Sequence, residues 1–210
     1  PRLWWSAPRA LTLRPPFRSF LGLVFGLILF GLGEALLVAA GIGVSPWTVL
    51  AEGVAKTAGL SLGITTFLIS LSVLILWVPL RQTPGLGTLL NALIVAFMLD
   101  FSLPYLPRSE DFLPQIFLAL LGVFTTGLGG AIYLIANLGP GPRDGLMTGL
   151  QALSGRPLAL VRSALEMTVV LAGFALGGTL GLGTLFFAFG IGPAIAFCLS
   201  VLSHLFRQRK

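Results

Sequence analysis

The chain has 210 residues, 56% of them hydrophobic and 10% charged, with a mean hydropathy of +0.98. A soluble domain carries roughly a quarter charged residues, so a globule in water is excluded. Disorder, which needs low hydrophobicity and high net charge, is excluded too. An integral membrane protein remains, and the 27 glycines suit membrane helices.

The net charge is +6, but most of the positive residues sit at the edges of apolar runs, so nucleic acid is not an expected partner. The lone Cys198 lies inside an apolar run and has no partner for an intramolecular disulfide. The lone His204 has no second His and no Cys cluster with it, so neither a metal nor a cofactor is expected.

In chain order, residues 1–18 read as a basic cytoplasmic arm (Arg2, Arg9, Arg14, Arg18) with the interfacial aromatics Trp4 and Trp5. A spanning helix needs about 20 mostly apolar residues. Six are predicted: Ser19–Ala40, Leu62–Leu80, Leu86–Pro104, Pro114–Ala136, Pro157–Leu176 and Leu182–His204. The first is read as a retained span rather than a cleaved leader, because it is long and lacks a small-x-small site. Residues 105–113 form an extracytoplasmic loop and residues 207–210 a basic tail.

Two runs, Ser45–Gly59 and Gly141–Gly155, are too short to span. Each opens on a Gly/Pro turn, with Pro46 or Pro142 suited to a first helical turn, and each closes on a helix-stopping Gly. They are predicted as short helices, either re-entrant or interfacial. Threading six spans with both termini in the cytoplasm leaves only Lys56 and Arg108 outside among the basic residues. This orientation is therefore expected from the positive-inside rule.

The chain repeats itself at an offset of 96 residues. Gly31-Leu32-Gly33 falls on Gly127-Leu128-Gly129, Gly43 on Gly139, Pro46 on Pro142, and Gly85-Leu86-Gly87-Thr88-Leu89 on Gly181-Leu182-Gly183-Thr184-Leu185. Across residues 31–101 and 127–197, 21 of 71 positions are identical. Each half holds three spans, an odd number, so the second half must enter the membrane upside down. The expected fold is all-α and polytopic: six transmembrane helices plus two short ones, in two inverted-topology three-span repeats, 19–104 and 114–206.

The run Gly43-Val44-Ser45-Pro46-Trp47-Thr48-Val49-Leu50, its counterpart Leu138-Gly139-Pro140-Gly141-Pro142-Arg143-Asp144-Gly145-Leu146, and the Gly-Leu-Gly-Thr segments resemble the YczE/YitT group of bacterial inner-membrane proteins. The resemblance covers nearly all of the chain after the arm. It implies a small polytopic bacterial membrane protein and supplies no substrate and no site residues.

Candidate residues follow from charge and polarity at membrane depth, where ionisable groups are functional hypotheses by default. Ser45, Trp47 and Thr48 open the first short helix, and Arg143 and Asp144 open the second. The free N–H groups at such a helix start attract anions, and these five are the candidate solute-binding residues. The bland alternatives are a first-turn acid for Asp144 and a lipid-phosphate anchor for Arg143.

Glu34, Arg162 and Glu166 are the candidate ion or proton pathway. Arg162 and Glu166 are four apart and read equally as a structural ion pair. Their counterparts Thr66 and Ser70 place polarity at the same depth in the first half. Glu52 and Lys56, also four apart, are expected to pair locally. Gly22/Gly26 and Gly173/Gly177 are expected to be close-packing helix contacts.

No Gly-x-Ser-x-Gly, metal-ligand spacing or His–carboxylate pair occurs, so no enzyme is expected. The expected function is a small-solute transporter or channel with a midplane site between the repeats. The alternative is a non-transporting accessory or regulatory membrane subunit. The expected partners are the lipid bilayer and a small solute, anionic by the Arg143 reading. Homo-oligomer formation is left open.

Overall fold

The computed structural model describes residues 2–12 and 14–206; the predicted basic tail at 207–210 lies outside the described residues. Among the described residues there are eight α-helices and no strand. They are α1 Phe17–Ala40, α2 Pro46–Ala58, α3 Leu62–Trp77, α4 Leu86–Ser102, α5 Phe112–Ala136, α6 Pro142–Ser154, α7 Leu158–Ala175 and α8 Leu182–Leu205, with a 3₁₀ turn at Leu103–Tyr105. The all-α membrane class read from composition is the observed one. Helices α1, α5, α7 and α8, and α4 together with its 3₁₀ turn, are long and apolar enough to cross a bilayer. Helix α3, 16 residues long, qualifies only together with α2, from which it is bent by 114°.

Local chemistry sets these boundaries. Pro46 and Pro142 occupy the first turns of α2 and α6, where a missing N–H costs nothing. Gly59 and Gly155 close the same helices in the left-handed conformation, at φ 67° and 65°. The predicted second span ran to Leu80, but α3 ends at Trp77. There the Trp77 indole N–H donates to the Pro142 carbonyl at 2.9 Å, and Arg81 turns the chain at φ 53°.

Helices α1 and α5 form the centre of the bundle. A Cβ on Gly26 would strike the backbone of Tyr133 and Gly129, and one on Gly33 the backbone of Thr126 and Gly122. The contacts run in opposite order along the two chains, so the helices cross antiparallel with their backbones in close approach. Gly26 and Gly122, and likewise Gly33 and Gly129, are 96 apart. The loops repeat this exchange. The Gly87 N–H donates to the Leu138 carbonyl at 2.7 Å, and its counterpart Gly183 donates to Ile42, the counterpart of Leu138, at 2.8 Å.

The N-terminal arm packs into the bundle, and two expectations need correction. Ala7 is fully buried, its N–H donates to the Ala136 carbonyl at 3.0 Å, and its own carbonyl accepts from Asn137 at 2.8 Å. Glu52 and Lys56 do not pair with each other. Glu52 accepts the Thr179 N–H at 2.7 Å and Lys56 donates to the Gly177 carbonyl at 2.6 Å, so both bind the α7–α8 turn. Of the four spaced glycines, Gly26 and Gly173 meet neighbouring helix backbones. Gly22 instead meets the Trp5 ring, and Gly177 is a turn residue at φ 94°.

Candidate functional site

The site is built where the two short helices begin. The chain leaves α1 at Ala40 and doubles back so far that Ser45, the residue before α2, bonds Glu34, six residues from the end of α1. At 1.5 Å per residue, α2 therefore starts about 9 Å inside the length of α1. This reversal uses Gly43 at φ 114°, and its counterpart Gly139 repeats it at φ 112°. Only glycine takes that conformation readily.

At the α2 start, Glu34, Ser45 and Thr48 are each about 1% exposed. Ser45 Oγ and Thr48 Oγ1 donate to Glu34 Oε2 at 2.6 and 2.8 Å, and the two hydroxyls lie 2.9 Å apart. Ser45 holds the N-cap position, yet its hydroxyl serves Glu34 and caps nothing. Glu34 Oε1 is buried without a hydrogen-bond partner among the described residues.

At the α6 start, Tyr133 of α5 donates its hydroxyl to Asp144 Oδ2 at 2.6 Å. The Arg143 guanidinium lies over the Trp47 ring, 5.4 Å from its centroid, a cation–π arrangement. No ion pair to Arg143 forms among the described residues; the one pair found there is Arg162 Nε to Glu166 Oε1 at 2.8 Å.

One cavity of about 310 Å³ gathers these groups. Trp47, Arg143, Asp144, Arg162 and Glu166 line it; Glu34, Ser45 and Thr48 do not, and stand behind the Trp47 wall. The lining contains residues and their own counterparts, namely Trp47 with Arg143, Thr66 with Arg162, and Ser70 with Glu166. Thr66 Oγ1 is buried and has no partner among the described residues.

Sequence reasoning missed Tyr133 and Asn91, both in the lining. A tyrosine or asparagine inside an apolar run gives no signal beyond its own polarity. Among the described residues no group of three His, Cys, Asp or Glu is placed to hold a metal ion.

Fold and lining together define a multi-pass, all-helical membrane protein with a charged internal cavity. Residues 17–200 match the family described as "Family of unknown function (DUF6198)", and the chain belongs to that family. It is 39% identical over 205 residues to an uncharacterised protein of Haemophilus influenzae, covering 98% of this chain and 93% of that one. It is 32% identical over 177 residues to the uncharacterised membrane protein YczE of Bacillus subtilis, covering 83% and 82%. A second Bacillus subtilis protein, the uncharacterised YyaS, is 30% identical over 165 residues, covering 76% and 82%. The resemblance to YczE read from the short-helix motifs therefore holds. No solved structure matches the chain.

Proposed function

We propose that this protein moves a small anionic solute across the membrane, through a site between two inverted halves. The observation that carries the reading is Arg143. It lines the cavity, stacks on Trp47, and has no hydrogen-bond or ion-pair partner among the described residues. A guanidinium offers five donors in a planar fork that matches carboxylate and phosphate oxygens. Leaving those donors unpaired at membrane depth is costly unless water or a ligand takes them. The cavity volume of about 310 Å³ is at the small end for ligand sites.

The inverted arrangement is supported by exchanged contacts. Gly26 meets Gly129 while its counterpart Gly122 meets Gly33, the counterpart of Gly129. Such self-complementary pairing is what a two-fold relation produces. With α1 and α5 antiparallel, such an axis would run across the helices, in the membrane plane. Trp47 touching its own counterpart Arg143 supports a site on that axis, near the bilayer midplane. Short helices that begin inside the bundle favour the re-entrant form, which the bilayer permits only where backbone is buried or lines a cavity. The charge bias supports cytoplasmic termini.

The test is a thermal-stability screen of the purified protein against small monocarboxylates, dicarboxylates, inorganic phosphate and neutral analogues. One anionic class should raise the melting temperature of the wild type and lose that effect in Arg143→Ala. Stabilisation that persists unchanged in Arg143→Ala, or none by any anion, contradicts the assignment.

A further inference from the structure

We propose that Glu34 is a proton-exchanging carboxyl that takes up a proton when an anionic solute neutralises Arg143, so that anion and proton load together. The inference rests on the solute reading above and deepens it by naming the coupled ion.

The proton count comes first. Glu34 Oε2, Ser45 Oγ and Thr48 Oγ1 form a triangle with edges of 2.6, 2.8 and 2.9 Å, each within hydrogen-bond range. Two hydroxyls supply two hydrogens for three edges. With Glu34 ionised, one edge holds two oxygens face to face with no hydrogen between them. A hydrogen on the carboxyl completes the ring. Oε1 adds a second argument. It is buried and lacks a donor among the described residues, and an unpartnered carbonyl oxygen costs far less than an unpartnered carboxylate oxygen.

The triangle also selects against a cation of the size of calcium or sodium. Such an ion, about 2.4 Å from its ligands, holds right-angled neighbours about 3.4 Å apart, farther than any observed edge.

Arg143 of α6 stacks on Trp47, which lies between Ser45 and Thr48 in the chain, and Asp144 of α6 and Arg162 and Glu166 of α7 line the same cavity. Asp100 of α4 is held by Ser61 and the Gly63 N–H, while Glu52 and Lys56 of α2 are engaged with residues 177–179. The sign of the coupling follows. A nearby positive charge favours the carboxylate. An anion on Arg143 cancels that field, so the carboxylate takes a proton, forming the O–H bond on Oε2. By reciprocity the protonated protein binds the anion more tightly.

Infrared difference spectra of the whole protein, titrated over pH without solute, test this directly. One component of the carboxylic C=O band should appear as pH falls and be missing in Glu34→Gln, while the other six Asp and Glu keep theirs. In Arg143→Ala the midpoint of that component should rise measurably. Sodium chloride in place of choline chloride should leave it unmoved. If Glu34→Gln does not fold, Thr48→Val keeps the carboxyl and should displace the band by removing a donor. A wild type without the band, a band unmoved by Thr48→Val, a midpoint unmoved in Arg143→Ala, or a band abolished by sodium overturns the proposal. The titration uses no solute, so a missing band leaves the anion cavity standing, and a failed anion screen leaves the proton site standing.

Discussion

Residues at the centre of this protein act mainly through what they leave room for. Gly26 and Gly33 let the backbones of α1 and α5 touch, and a Cβ at either would meet main chain that cannot move aside. Gly26→Val or Gly33→Val is expected to lower stability by about 1–3 kcal/mol or to prevent folding, read as the melting temperature in detergent. Gly192→Ala in α8 is the control. A Cβ there meets nothing within 4 Å, and the change should be neutral or raise stability by up to about 1 kcal/mol. At this scale the sequence was partly legible. Arg143 and Asp144 stand out because charge is rare in apolar sequence and they follow a Pro at a helix start. Tyr133 and Asn91 do not, because only the crossing of α5 and α4 over the α6 start turns them toward the cavity.

At the scale of elements, Pro and Gly punctuation was enough to place both short helices to within a residue or two, since those residues act through local backbone geometry. Partner choice was not legible. Glu52 and Lys56 have the spacing of a helix-surface pair, yet the α7–α8 turn offers each a backbone partner 121 or more residues away in sequence. Pairing at i,i+4 is worth only about 0.2–0.5 kcal/mol, less than a charge-assisted bond to an otherwise unpaired N–H. Glu52→Ala should therefore leave the Thr179 N–H without its acceptor and loosen the turn. Amide exchange at residues 176–181 should speed up while α1 and α5 stay unchanged; equal exchange in both proteins contradicts the latch.

For the whole molecule, the 96-residue offset is the feature the linear sequence states most plainly. Its three-dimensional counterpart is the exchanged pairs Gly87–Leu138 and Gly183–Ile42. Less legible is how unequal the halves are. Helix α7 buries only Val169 and Gly173, whereas α3 packs along α4 and buries Gly63, Thr65, Thr66, Ser70, Val73 and Trp77. Both α3 and α7 read as apolar spans, and hydropathy does not distinguish a lipid-facing helix from a protein-facing one.

The proposed opposite orientation of the two halves is best tested by labelling single cysteines in intact cells with a membrane-impermeant maleimide, in a Cys198→Ala background. Leu60→Cys after α2 and Glu110→Cys between α4 and α5 should label without permeabilisation. Ser154→Cys at the end of α6 and Arg9→Cys in the arm should label only after it. Labelling of positions 60 and 154 from the same side would contradict the arrangement on which the solute site rests.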